Sequence, residues 1–325
     1  PTYNFDLKIP LNNEKEVKIN IKVKYSENNK TIVLKLPIRF KNHANLSAIS
    51  HHSIKDNKII LYSRESFYIL PYSYKKKLRF EINSILTLIR SKKGNLPFGL
   101  FYRIGYLLLY PFMKNKKIWL FADRPDFADD NSKHLFRYAI KQDDNIKKYF
   151  IVMKESGSFK EMKKIDKNIV NFRSMKHRFL YLFAEKVITT YVNHDYVTPF
   201  HNKNINYYAG LSTSKKYFLQ HGITKDDVSK YIKKFNKNLS LFLTAADLER
   251  ESIINGSYNY DSDIVPTLGF PRYDGLMKKE DTKQILLMPT WDQDLKDKDE
   301  NYILKSPYYI KWNKGFCICW SISNG

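Results

Sequence analysis

From residue 17 to residue 40 the apolar and polar positions alternate. Val17, Ile19, Ile21, Val23 and Tyr25 fall on one side, Lys18, Asn20, Lys22 and Lys24 on the other. After the polar stretch Ser26-Glu27-Asn28-Asn29-Lys30, the period of two returns in Ile32, Leu34, Leu36, Ile38 and Phe40. Successive strand side chains point to opposite faces, so the pattern predicts a hairpin with one apolar and one basic face. Residues 59–62 and 67–70 predict further short strands, and none of these runs has a catalytic spacing. Residues 1–75 read as a β-rich accessory domain.

Residues 76–117 change in texture. Phe98, Leu100, Phe101, Tyr102, Ile104, Tyr106, Leu107, Leu108, Leu109, Tyr110 and Phe112 crowd one segment, with Lys92-Lys93 before it and Lys114, Lys116 and Lys117 after. A spanning helix needs about 20 apolar residues, and this one holds Arg103 inside and Pro97 and Pro111 near its ends. Two readings stay open: amphipathic helices in a membrane interface, lysines toward anionic lipid, or a buried helix linking two domains. A true span fits less well than either.

From Ile118 onward the rhythm becomes β-α-β. Apolar runs suited to buried strands lie at 118–121, 149–153, 187–190, 217–219, 239–243, 264–268 and 285–288. Between them, Leu135, Phe136, Ala139 and Ile140 share a helical face behind an N-cap at Asp130 or Asn131. Phe179, Leu180, Leu182 and Phe183 follow Ser174, and Leu248, Ile253 and Ile254 precede Gly256, as at a C-cap. Such alternation implies a parallel sheet covered by helices on both faces. Ligands then bind at the carboxyl ends of the strands, near a switch point.

Several chemically capable residues stand at those ends. The strand at 217–219 runs into Gln220-His221-Gly222-Ile223-Thr224, followed by a helix expected near 226–234. Gly222 lets the backbone turn sharply and a ligand come close, and the first-turn amides of that helix would favour a phosphate. His221 reads either as a general base or as a structural histidine of the turn. Arg272, in Pro271-Arg272-Tyr273-Asp274, reads either as a phosphate fork or as an ion-pair partner of Asp274. Pro289-Thr290 offers a hydroxyl and amides, or an ordinary turn. Asp123-Arg124 and Asn131 follow the strand at 118–121.

Composition narrows the partners. Among 325 residues, 56 Lys and Arg against 33 Asp and Glu give a net charge of +23, which suits polyanions. The lysines are scattered and no helix-turn-helix or RNA-binding motif is present, so nucleic acid is not expected. Two cysteines exclude a disulfide scaffold and a Cys-rich zinc module. No metal site is expected: His51-His52 are adjacent in an extended region, and the Asp292–Asp299 segment lacks the glycine and terminal Glu of a calcium loop. No common nucleotide fingerprint occurs, and no cofactor is expected. Pro1 to Phe5 have neither the charged nor the apolar region of a signal peptide, and the absent initiator Met suggests a cut or processed boundary.

Taken in order, Trp119-Leu120-Phe121-Ala122-Asp123-Arg124 with Ala128-Asp129-Asp130-Asn131, then Leu219-Gln220-His221-Gly222, then Gly269-Phe270-Pro271-Arg272-Tyr273-Asp274, then Met288-Pro289-Thr290-Trp291 resemble the CDP-glycerol glycerophosphotransferase family, the primases and polymerases of teichoic acids and related capsule polymers. The resemblance covers about residues 117–310. It implies an α/β fold: a Rossmann-like acceptor lobe at 118–282 of a two-lobed, glycosyltransferase-B-like enzyme. The small β domain and membrane-interface or linker helices at 76–117 precede that lobe, and the start of a donor lobe at 283–325 follows it. It implies transfer of glycerol phosphate or ribitol phosphate from CDP-glycerol or CDP-ribitol to a lipid-linked polyol-phosphate acceptor, with release of CMP. The enzyme would sit peripherally on the anionic cytoplasmic face of the cell membrane. By motif, His221 resembles the catalytic histidine. Gln220, Gly222, Ile223, Thr224, Arg272, Pro289 and Thr290 resemble the CDP-glycerol site, with Asp123, Arg124, Asn131 and Asp274 on the acceptor side. Two features depart from the family. Asp292 stands where an Arg usually follows Pro-Thr-Trp. The chain also stops about forty residues after Ile285, with a cysteine-bearing, uncharged tail that suggests a truncated donor lobe and little activity of this chain alone. The alternative is a non-catalytic, basic, membrane-docked module that holds an anionic polymer.

Overall fold

The computed structural model describes residues 16–19, 21–27, 30–36, 52–55, 58–62, 67–91, 96–201, 208, 211–212, 214–276, 299–307 and 310. The chain forms two compact units, residues 1–276 and 277–325.

The first unit begins with β structure. β1 (Val17–Ile19), β4 (His52–Lys55), β5 (Lys58–Tyr62) and β6 (Phe67–Pro71) make an antiparallel sheet in the order β1-β6-β5-β4, while β2 (Ile21–Glu27) and β3 (Lys30–Leu36) form a separate hairpin. The hairpin register pairs Ile21 with Leu36 and Glu27 with Lys30. The alternating run from Val17 is thus divided: its first three residues pair with β6, and the rest with β3. Period alone cannot announce this, because it fixes which way a side chain points and not which strand lies beside it. Ile38 and Phe40 fall outside the described residues.

Two helices follow, α1 (Tyr74–Ser91) and α2 (Leu96–Met113). They are joined by a buried ion pair: Arg103 Nε lies 2.9 Å from Glu81 Oε2, with both side chains 1% exposed. Lys77 sits 3.6 Å above the Tyr110 ring. The inner face of α2, with Tyr102 and Tyr106 buried, packs on the helix of residues 175–183, where the Phe179 ring lies so close to Gly105 that a Cβ there would come within 2.7 Å of it. The opposite face leaves Phe101, Ile104, Leu108 and Phe112 exposed, and α1 exposes Leu78, Ile82, Leu86 and Ile89. Among the described residues, these helices thus have one buried face and one apolar face left uncovered. Among the described residues, no helix is long and apolar enough to cross a membrane.

The remainder is α/β. β7 (Lys117–Ala122), β8 (Ile146–Val152), β9 (Ile169–Asn171), β10 (Lys186–Thr189), β11 (Lys215–Phe218) and β12 (Leu241–Phe242) form a wholly parallel sheet in the order β12-β11-β10-β7-β8-β9. α2 and α5 (Met175–Phe183) cover one face around Ile118, Leu120 and Val187. α3 (Asn131–Ala139) and α4 (Gly157–Ile165) cover the other around Phe121, Phe136 and Phe150. The order reverses between β7 and β10, which makes their carboxyl ends the switch point. The turn α6 (His194–Val197) follows β10.

Two sequence expectations need correction. The run at 264–268 is not a strand. It is a 3-10 turn (Ser262–Ile264) and a single bridge from Thr267 to Thr244, because Pro266 has no N–H for a ladder. The helix expected at 226–234 is two short turns, α7 (Ser229–Ile232) and α8 (Lys234–Lys237). β9 is too short for its periodicity to register in the sequence. α9 (Asp247–Asn255) follows β12 and ends at Gly256. The run at 285–288 lies outside the described residues. In the second unit, α10 (Glu300–Lys305) starts at Asp299, whose side chain accepts from the Tyr302 amide.

Candidate functional site

His221 comes three residues after β11 ends, beside the switch point. Its side chain is exposed, and its ring stacks on Tyr191, with centroids 4.6 Å apart and planes 8° from parallel. Nδ1 lies 3.2 Å from the Thr190 carbonyl. A carbonyl only accepts, so in the neutral ring the proton belongs on Nδ1 and the lone pair on Nε2. The Thr190-Tyr191 corner is itself fixed, since Thr189 Oγ1 accepts from the Tyr191 amide and donates to the Tyr191 carbonyl.

The turn after His221 is built differently from the expectation. Gly222 does not take the left-handed conformation. Gln220 does, with φ +58°, at a cost of about 1–2 kcal/mol for a residue with a Cβ. A Cβ at Gly222 would meet nothing within 4 Å. The Gln220 side chain is 2% exposed and turned inward: Nε2 donates to Leu243 O and to Glu249 Oε1, and Oε1 accepts from Thr224 Oγ1. Glu249 also accepts from the amides of Thr224 (2.6 Å) and Ala245 (2.8 Å). The first turn of α7 does not face this site with open amides, since Val228 N donates to Tyr258 Oη and Ser229 N to Asp227. Among the described residues, the amides of Gly222 and Ile223 have no acceptor within hydrogen-bond reach.

Arg272 reaches this corner from the 3-10 turn Pro271–Gly275. Nη1 lies 2.9 Å from Asp130 Oδ1 and donates to the His221 carbonyl at 3.0 Å, while the Arg272 amide donates to Asn131 Oδ1. Its ion pair is therefore with Asp130, not with Asp274, which is exposed. Arg272 keeps a third of its side chain open to solvent.

Asp123 and Asn131 are buried and hold the site from beneath. Asp123 accepts the amides of Asp130, Ser132 and Lys133 and the Thr190 hydroxyl, capping α3. Burial raises its carboxyl to about 6, while the Asp130 amide and Thr190 hydroxyl pull the other way. Asn131 Nδ2 donates to the carbonyls of Leu219 and Gln220, bridging α3 to the end of β11. Arg124 forks onto Asp126 at the surface, within electrostatic reach of Tyr191. Pro289 and Thr290, and with them Asp292, lie outside the described residues. Among the described residues, no cluster of His, Cys, Asp and Glu could hold a metal.

The sequence reading missed Glu249, Tyr191, Thr190 and Asp130 as members of the site. Glu249 had a signal: it is the third residue of a helix, the position from which a Glu reaches back to an N-terminal amide. Tyr191 had none, because only the fold brings it over His221.

The family described as CDP-Glycerol:Poly(glycerophosphate) glycerophosphotransferase matches residues 100–309. This chain belongs to that family. The minor teichoic acid biosynthesis protein GgaB of Bacillus subtilis (strain 168) is 40% identical to this glycerophosphotransferase-family chain over 250 residues, 72% of this chain and 27% of GgaB. A structure of the wall teichoic acid polymerase TagF aligns over 62% of this chain and 48% of that one, at 16% identity and a TM-score of 0.38. A second TagF structure, a variant soaked with CDPG, gives 13% identity and 0.39 over 49% of its chain. The chain thus spans about a quarter of GgaB and about half of TagF.

Proposed function

We propose that the protein carrying this chain transfers glycerol phosphate, or ribitol phosphate, from CDP-glycerol or CDP-ribitol to a teichoic-acid-like, lipid-linked polyol-phosphate acceptor. His221 Nε2 takes the proton from the acceptor's terminal hydroxyl. That oxygen attacks the β-phosphorus, the bond from the β-phosphorus to the bridging oxygen breaks, and CMP leaves. The Gly222 and Ile223 amides and Arg272 hold the phosphate oxygens, as phosphoryl transfer requires of positioned cationic and N–H donors. Asp123 and Asn131 serve the acceptor side by fixing α3 and the end of β11. The observation that carries this reading is the pinned imidazole: Nδ1 on the Thr190 carbonyl and Nε2 without a partner among the described residues, at the switch point of a parallel sheet. The Rossmann-like lobe is the acceptor half of a two-lobed enzyme. The test is CMP release from CDP-glycerol with a polyol-phosphate acceptor: His221→Ala must abolish it in a folded protein, and retained turnover refutes the assignment.

A peripheral seat on the anionic cytoplasmic leaflet completes the proposal. The uncovered apolar faces of α1 and α2, next to Lys75, Lys76, Arg79, Lys114 and Lys116, support it. Leu108→Glu with Phe112→Glu should abolish flotation with phosphatidylglycerol vesicles, and unchanged flotation removes this part. A second reading, a basic module that binds an anionic polymer without catalysis, is favoured by one observation: Arg272 is already paired with Asp130. Polymer affinity that survives His221→Ala where no turnover was present before would select it.

A further inference from the structure

Beneath the exposed His221 lies a buried carboxylate that touches nothing outside the protein. Glu249 is 4% exposed, yet its two oxygens receive three hydrogen bonds from three separate places. The Gln220 side chain donates to it from the residue before His221, the Thr224 amide from three residues after His221, and the Ala245 amide from the end of β12. Every one of these partners is a donor, so both oxygens act as acceptors and an amide in their place would turn an N–H against an N–H. Gln220 needs such an anchor, because it holds a left-handed conformation that a side chain disfavours and its carboxamide has no route to solvent.

We infer that Glu249 is a positioning residue that sets the Gln220–Thr224 turn and thereby places His221 Nδ1 on the Thr190 carbonyl. The chain of contact is short. Glu249 and Leu243 O fix the Gln220 side chain, and Asn131 fixes the Gln220 carbonyl. The direction of the next Cα–Cβ bond, that of His221, follows. Without Glu249 the turn loses one hydrogen bond on each side of the imidazole, at Gln220 and at Thr224. This inference deepens the proposal that His221 acts as a base, and its catalytic consequence rests on that reading. The geometric part does not.

The experiment separates the two. The 325-residue chain is labelled with 15N-histidine, and the His221 signals are identified by their loss in His221→Gln. In the wild type at neutral-ring pH, Nδ1 should carry the proton and Nε2 should resonate as a bare ring nitrogen. In Glu249→Gln the signals should move to a mixture of both tautomers. An unchanged His221 spectrum in a folded Glu249→Gln protein overturns the inference. If Glu249→Gln does not fold, Glu249→Asp carries the same measurement, since it keeps the charge on a shorter arm; there the expected result is a smaller shift in the same direction, and no shift overturns the inference. Transfer kinetics form the second arm. A roughly tenfold or greater fall in kcat with KM for CDP-glycerol within about twofold supports a positioning role. A lower melting temperature with kcat and the His221 tautomer both unchanged assigns Glu249 to stability alone and overturns it. A tautomer shift with no change in kcat leaves the positioning intact and refutes His221 as the base.

Discussion

Two histidines of this chain stand next to left-handed residues and come to opposite ends. His177 comes four residues after Arg173 (φ +57°) and accepts its amide, and His221 directly follows Gln220 (φ +58°). At the start of α5, the His177 ring is 1% exposed and its Nδ1 accepts from the Arg173 amide at 3.1 Å. The proton of the neutral ring is therefore on Nε2. After β11, the His221 ring is exposed and its Nδ1 faces a carbonyl, so the proton is on Nδ1 and Nε2 is bare. One imidazole satisfies an awkward amide of the fold, and the other is held by the fold to present a lone pair to solvent. Residue type and a left-handed residue close by are shared. Depth and the partner of Nδ1 decide the role.

The largest difference between the two should appear in turnover. His221→Gln should cost about 10²–10⁴ in transfer rate, the usual worth of a general base. His177→Gln should leave the rate per folded molecule within a few-fold. Measuring both against folded fraction checks the comparison, and equal losses would break it.

Acid should reveal the opposite weakness. Burial, with Arg178 and Arg173 nearby, lowers the His177 ring to about 3. A base depressed on folding binds fewer protons in the folded state than in the unfolded one, so its contribution rises with pH between about 3 and 6.5 and is lost on acidification. Asp123, raised to about 6, contributes with the opposite sign between about pH 4 and 6, since the folded state there holds the extra proton. Taking wild type minus His177→Gln cancels Asp123. That difference in unfolding free energy should shrink by about 2 kcal/mol from pH 6.5 to pH 5. Urea titrations at the two pH values measure it, and a flat difference would mean that His177 does not titrate with folding.

Packing gives a comparison of similar size. Gly105→Ala must push its Cβ into the Phe179 ring and should cost about 1–3 kcal/mol, as overpacking does. Gly222→Ala enters open space and should change stability by less than about 0.5 kcal/mol while lowering transfer by crowding the donor phosphates. Thermal melts of both, with CDP-glycerol kinetics for the second, distinguish a glycine needed by the core from one needed by a ligand. The smallest expected effect is at Tyr191. Loss of the stack in Tyr191→Leu should cost about 2–10-fold in rate, from an aromatic pair worth about 0.5–1.5 kcal/mol, and Tyr191→Phe should restore it.

Most of the α/β half was legible in the sequence. Strands 118–121, 149–153 and 187–190 fall inside or within a residue of β7, β8 and β10, because buried parallel strands are continuous apolar runs. His221, Gln220 and Asn131 do follow strands as expected, and they share one hydrogen-bond network with Arg272, which stands in a 3-10 turn rather than after the strand expected at 264–268. The pairing of Arg272 was not legible. A carboxylate two residues away, Asp274, was the local candidate, and the partner is Asp130, 142 residues earlier. Nor was the inward turn of Gln220 legible, since its neighbours Leu243 and Glu249 come from other elements.

The sequence by itself determined the periods: where most strands run, where helices begin, and which glycines and prolines interrupt them. These are properties of residues a few positions apart, governed by side-chain direction and backbone sterics. Tertiary structure alone decided the order of strands that makes β7 and β10 the switch point, the depth that separates His177 from His221, and the carboxylate that holds the turn. Those depend on segments far apart in the chain meeting in space, and no local period records which of them will meet.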